Sequence, residues 1–218
     1  MAAAIALAGV LLLSGFSAAA LHGAGTAPLK GATAAAQPPQ CKGYKTYGVP
    51  SVTALNPHKT YRAIVTTNKG AFTVTFYPKQ APVTVESFIF LAQHRYFDGI
   101  PFHRVLPGFV IQGGDPTGTG LCGPGYQFGT ENTRAGYRRG TLAMARAQDP
   151  HSNGSQFFVV LKDNTGLSPD YTVFGKVTNG MAAVDRIAAV PLGPNADGSE
   201  QSIPKEKVYM KTVRVTAS

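Results

Sequence analysis

Short β-rich runs, each closed by glycine, asparagine or proline, recur from residue 61 to residue 215 and leave little room for long helices. Residues 61–78, YRAIVTTNKGAFTVTFYP, hold two alternating runs around Asn68-Lys69-Gly70 and predict a hairpin. Further runs follow at 102–112, 140–147, 155–161 and 171–177, and KVYMKTVRV (207–215) alternates as a final strand. The period turns helical only twice. In APVTVESFIFLAQHRYF (81–97), Val85, Phe88, Ile89 and Ala92 share a stripe, and Pro82 suits an early helix position. In GMAAVDRIAAV (180–190), Val184, Ile187 and Ala188 do the same. Many strands with two helices predict a closed or nearly closed antiparallel sheet whose ends the helices cover. The 25 glycines and 16 prolines agree, because both exceed average usage and both mark turns.

The chain divides into three parts. Residues 1–21, beginning MAAAIALAGVLLL, are uncharged and apolar, with a length between a signal-peptide core and a short membrane anchor. Either reading places the remainder outside the cytoplasm. Residues 22–55 are rich in Ala, Pro, Gly and Thr, which predicts a flexible tether with little to pack. Residues 56–218 form one domain, which a 44% hydrophobic chain of 218 residues can supply with a core. Cys41 and Cys122 are candidates for a single disulfide between tether and domain; sequence separation leaves the geometry open.

Several chemistries are excluded by what is missing. The net charge of +9 is scattered, and its densest run, RAGYRRG (134–140), is too short to predict a nucleic-acid surface. The two cysteines and five histidines lack ligand spacing, so neither a metal nor another cofactor is expected. Gly118, Gly120 and Gly123 match G-x-G-x-x-G literally, but Pro124-Gly125 follows where a phosphate-binding helix would have to begin. Ser152 and Ser155 lie near His151 within DPHSNGSQFF, where Asn-Gly reads as turn chemistry rather than as part of a triad. Paired carboxylates for glycoside hydrolysis are not evident among 11 acidic residues.

What remains is FHRVLPGFVIQGGD (102–115), an apolar strand that carries a full charge at Arg104. Burying an unpaired guanidinium is costly, so this one belongs at the wall of an open cleft. Gln112 and Gln156 supply amides, and Phe109 and Phe158 supply aromatic surface. The set lacks a nucleophile, a general base and a metal. It suits the holding of an apolar group beside a polar bond.

FHRVLPGFVIQGGD, followed in order by GTLAMARA, NGSQFFVVL and YTVFGKV, resembles the cyclophilins, the prolyl cis–trans isomerases that are often sensitive to cyclosporin. The resemblance runs from about residue 61 to residue 215 and implies a mainly β fold, a closed eight-stranded antiparallel β-barrel capped by two α-helices. It implies that Arg104, Phe109 and Gln112 are catalytic. It also implies that His103, Val110, Ala145, Arg146, Ala147, Gln156, Phe158, Leu167 and Tyr171 bind the substrate. The expected partners are proline-containing peptides and flexible protein segments, with a role in folding outside the cytoplasm; a peptide-binding module that catalyses little is the rival reading. Departures from the family occur at Val110, usually Met, at Arg146, usually Asn, at Gly166, often Trp, and at Tyr171, often His. The last two imply weak cyclosporin binding with catalysis retained.

Overall fold

The computed structural model describes residues 25–131, 136–163 and 166–218. Three short strands come first: β1 (Thr26–Pro28), β2 (Thr33–Ala34) and β3 (Ser51–Thr53). The expected hairpin follows as β4 (Tyr61–Thr67) and β5 (Gly70–Phe76), with Thr67 facing Gly70 across the turn. Helix α1 (Pro82–Gln93) leads to β6 (Phe102–Leu106), β7 (Val110–Gly113) and the short β8 (Tyr126–Gln127). Then come β9 (Thr141–Met144), β10 (Phe157–Val160), β11 (Val173–Asn179) and helix α2 (Met181–Ala188). A second hairpin, β12 (Leu192–Pro194) and β13 (Gln201–Pro204), precedes the last strand, β14 (Met210–Ala217).

Eight strands form one curled antiparallel sheet in the order β14-β4-β5-β11-β9-β10-β7-β6. Its inner face and both helices share one core, in which Val85, Phe88, Ile89 and Ala92 of α1 and Val184 and Ile187 of α2 are buried. Phe88 stacks 4.6 Å from Phe97 and meets Phe157 and Phe174, each at 5.6 Å. The helical stripes read from the sequence therefore face where their periodicity requires.

The expectation of a closed barrel is corrected. The outermost strands, β14 and β6, share no ladder; the seam carries an isolated bridge between Pro101 and Tyr209 and a few adjoining backbone hydrogen bonds, Phe102 N–H to Val208 O among them. The β12–β13 hairpin packs against β6 but forms a separate two-stranded sheet.

The expectation of a flexible tether also does not describe residues 25–55. β1 pairs with β3, β2 pairs with β8, and Leu29 is buried in the main core. Cys41 and Cys122, both buried, are joined in a disulfide that spans 81 residues. The segment is held by backbone pairing, a covalent link and a few apolar anchors, Leu29 and Val52 in the core with Tyr47, Val49 and Leu55 packed against it. The apolar run 1–21 lies outside the described residues. Among those described, no helix is long and apolar enough to cross a membrane.

Candidate active site

One row of side chains crosses the outer face of the sheet. Arg104 on β6 lies opposite Gln112 on β7, Gln112 opposite Phe158 on β10, Phe158 opposite Ala143 on β9, and Ala143 opposite Val173 on β11. Residues directly opposed in antiparallel strands stand side by side on one face. A cation, an amide and an apolar patch are therefore adjacent in that order. The neighbouring row adds Leu106, Val110 and Val160.

Arg104 joins this row because β6 is irregular. The register between β6 and β7 shifts between Phe102 and Arg104, so one extra residue is inserted at His103. Phe102 points into the core at 1% exposure, whereas the Arg104 side chain keeps 34%. Bulges re-aim side chains in this way, often beside active sites. Without it, residues two apart in a strand would share a face and the guanidinium would enter the core. The loop behind the strand is equally constrained. Gly114 has φ +96°, and a Cβ there would meet Ser155 O at 2.2 Å, so only glycine allows the chain to turn against β10.

The apolar part is a second, smaller cluster outside the main core. Val110, Ala143, Phe158, Val160 and Val173 are buried in it, with Phe109, Ala145, Leu167 and Tyr171 packed around them. The Tyr171 ring stands edge-on to Phe158 at 5.6 Å. Tyr137 braces it from behind: its hydroxyl donates to Tyr171 O and accepts from Tyr171 N–H. Arg146 does not project freely. Its Nε donates to Asp170 O at 2.9 Å, its Nη1 donates to Ala147 O and Gln148 O at 2.8 Å, and its guanidinium lies 5.5 Å from the Tyr171 ring centre. The side chain thus fixes the backbone of residues 145–148 at the rim.

A cavity of about 240 Å³ adjoins the row at Gln112, lined in part by Gln112, Ala145, Arg146, Ala147 and Gln156. Gln112 Nε2 donates to Gln156 Oε1 at 3.1 Å, and Gln156 Nε2 donates to Gly120 O and Cys122 O. The glycine-rich loop that superficially matched a dinucleotide motif is instead folded around Asp115, which accepts from Thr117 N–H, Thr117 Oγ1 and Cys122 N–H. Its work is to hold Gln156, and through it Gln112.

His103 is the expected binding residue that the fold turns away from the cavity. Its ring lies beneath the Gly118–Gly120 segment, and both ring nitrogens are buried without a hydrogen-bond partner. Burial lowers its pKa below the usual histidine range, the Arg104 charge adds to this, and the Asp115 carboxylate opposes it.

Comparison with known proteins agrees with this geometry. The family model described as cyclophilin type peptidyl-prolyl cis-trans isomerase matches residues 62–215. The chain is a cyclophilin. It is 38% identical over 169 residues to peptidyl-prolyl cis-trans isomerase B of Streptomyces anulatus, covering 69% of this chain and 96% of that protein. An Arabidopsis thaliana peptidyl-prolyl cis-trans isomerase is 45% identical over 133 residues, 59% of this chain, which spans only 26% of the plant protein's length. A crystal structure of a Cryptosporidium parvum cyclophilin type isomerase superposes with a TM-score of 0.66 at 30% identity, covering 72% of this chain and 98% of that one. A second crystal structure of that protein, in the presence of the dipeptide Ala-Pro, gives 0.65 at 31% identity, covering 71% and 98%.

Two parts of this cyclophilin's site were not read from the sequence. Glu200, in the β12–β13 hairpin, accepts from Arg104 Nε at 2.8 Å and from Arg104 Nη2 at 2.7 Å. Its carboxyl is held below the usual range chiefly by that hydrogen bonding. No spacing rule links residues 104 and 200. Ala36 and Gln37 of the N-terminal segment line the cavity wall, where Gln37 Oε1 accepts from Gly123 N–H. A composition that reads as tether carries no signal of that contact.

Proposed function

We propose that this cyclophilin catalyses cis–trans rotation of X–Pro bonds in extended, proline-containing segments of proteins outside the cytoplasm, where it assists folding. The observation that carries the reading is the continuous row Arg104, Gln112, Phe158 across three adjacent strands. An apolar patch for the prolyl ring lies beside an amide for the substrate backbone, with a guanidinium next to both. The amide barrier of ~18–20 kcal/mol arises from resonance, which is lost when the bond twists. The lone pair then localises on the prolyl nitrogen, which becomes a better acceptor. An N–H donor from Arg104 therefore stabilises the twisted state more than the planar one, and that difference is what accelerates rotation. No bond is made or broken, so no nucleophile or proton relay is required.

A location outside the cytoplasm is supported by the Cys41–Cys122 disulfide, which suits an oxidising compartment, and by the apolar run at 1–21. The deciding experiment follows isomerisation of a short X–Pro peptide by NMR exchange, with Arg104→Ala alongside. Activity in the wild type and its loss in the variant support catalysis. Peptide binding by both without rate enhancement would instead establish a non-catalytic binding module.

A further inference from the structure

Arg104 is held in one orientation before any substrate arrives. Its Nε and Nη2 atoms both donate to the two oxygens of Glu200, at 2.8 and 2.7 Å, a bidentate pairing along the side of the guanidinium. Arg104 makes no other hydrogen bond among the described residues, so Nη1 and the second hydrogen of Nη2 form its unoccupied end. The two side chains are 34% and 27% exposed, at the boundary of solvent rather than beneath the surface.

The clamp is itself anchored. Glu200 N–H donates to Asn195 Oδ1 at 3.0 Å, and Glu200 O accepts from Asn195 N–H at 2.8 Å. Asn195 Nδ2 donates to Ser199 Oγ, and Asp197 Oδ1 accepts from Ser199 N–H. The next strand, β13, packs against β6 and carries the buried Ser202. The hairpin loop is therefore a preformed support with one carboxylate directed at one guanidinium.

We infer that Glu200 is a positioning residue for the isomerase reaction: it grips the Nε/Nη2 side of Arg104 and leaves the Nη1 end as the donor that meets the prolyl nitrogen. An arginine side chain free in solvent samples many rotamers, and few of them direct a donor at a single atom. Restricting it beforehand moves that ordering out of the transition-state barrier. The carboxylate contributes orientation and makes no contact with the substrate. This inference rests on the proposed activity.

The test uses the full chain and a short X–Pro peptide, with kcat and KM separated for wild type, Glu200→Gln, Glu200→Ala, Glu200→Asp and Arg104→Ala. Glu200→Ala and Glu200→Gln are expected to lose kcat roughly ten- to hundredfold, with KM little changed because the apolar patch is untouched. Glu200→Asp, which keeps the charge on a shorter arm, should recover part of the loss. The Arg104 Nε–H resonance, assigned by its absence in Arg104→Ala, should be resolved in wild type and shift or broaden in Glu200→Gln. Unchanged kcat in both neutral variants overturns the inference. A loss confined to KM overturns it, as does a rise in kcat, which would mean that Glu200 sequesters the arginine. If the wild type itself is inactive, the proposed activity falls and this inference with it; if Arg104→Ala is inactive and Glu200→Gln matches wild type, only the positioning role falls.

Discussion

Phe102 and Arg104 lie two residues apart in one strand and point to opposite faces of the sheet. Phe102 is buried in the main core, and Arg104 stands on the outer face beside Gln112. The inserted residue between them, His103, reverses the alternation that a regular strand would impose. The charge in an apolar strand is thereby explained without burying it.

The first prediction concerns the shape of that charge. Arg104→Lys keeps the positive charge and removes the planar fork that Glu200 grips. We expect kcat to fall about 10²-fold, equivalent to roughly 2.7 kcal/mol of transition-state stabilisation. Thermal stability should change little, since the side chain is part-exposed and outside the core. A lysine variant that retained wild-type kcat would show that charge alone suffices.

Gly114→Ala should be strongly destabilising. The position has φ +96°, and its Cβ would stand 2.2 Å from Ser155 O, which is backbone and cannot swing aside. Strain of this kind costs ~1–3 kcal/mol before the clash is counted. Denaturant unfolding would measure it; a change under half a kcal/mol would contradict the close approach.

Removing the disulfide tests the N-terminal segment. Cys41 and Cys122 close a loop across 81 residues. Loop entropy for that length corresponds to about 4.5 kcal/mol of stabilisation. Cys41→Ser with Cys122→Ser should lower stability by an amount of that order, read from chemical unfolding. It should also loosen the loop whose carbonyls hold Gln156, and so reduce peptide affinity. Wild-type peptide affinity in the double variant would separate the segment from the site.

The pH response should be traceable to His103. Burial holds the folded imidazole neutral, with a pKa below the usual value, while the unfolded chain takes up a proton as pH falls through about 6.5. The contribution is therefore complete above that pH and is lost progressively as pH falls towards the lowered folded pKa. Melting temperature should drop between pH 7.5 and pH 5, and His103→Gln should drop less. Equal losses in both would place the sensitivity elsewhere.

Cyclosporin is expected to bind weakly. Gly166, at a position where the family often has Trp, has no side chain to offer, and Tyr171 is engaged by Tyr137 and by the Arg146 guanidinium. Less apolar area is therefore offered to a large hydrophobic ligand. Inhibition of peptide isomerisation at sub-micromolar cyclosporin would contradict this.

The strands of the large sheet, the two helices and the 68–70 turn were legible because each is written locally, in a period of two, a period near 3.6, or a turn residue; the short strands β1, β2, β3, β8, β12 and β13 carry no such pattern and were not read. Arg104, Phe109, Gln112 and Phe158 stood out because they fall in short contiguous motifs, in which a charge and amides interrupt otherwise apolar runs; the sheet places Arg104, Gln112 and Phe158 in one row. Glu200 was not legible, since it reaches Arg104 from a hairpin 96 residues away in sequence. Nor were Ala36 and Gln37, which occupy the cavity wall through backbone pairing and a covalent link. His103 was read as a ligand contact, and the bulge placed it beneath the Gly118–Gly120 segment instead.

By itself, the sequence determined which segments alternate, where they turn, and which single charge had to be explained. It left open which edges meet. Strand edges are chemically equivalent rows of N–H and C=O groups, so whether the sheet closes depends on how the whole chain brings its outermost strands together. Here β14 and β6 meet at one isolated bridge and a few backbone hydrogen bonds rather than a ladder, and the β12–β13 hairpin packed against β6 brings a carboxylate to the arginine. Local pattern cannot encode that choice, because it rests on contacts between segments whose own periods are indifferent to each other.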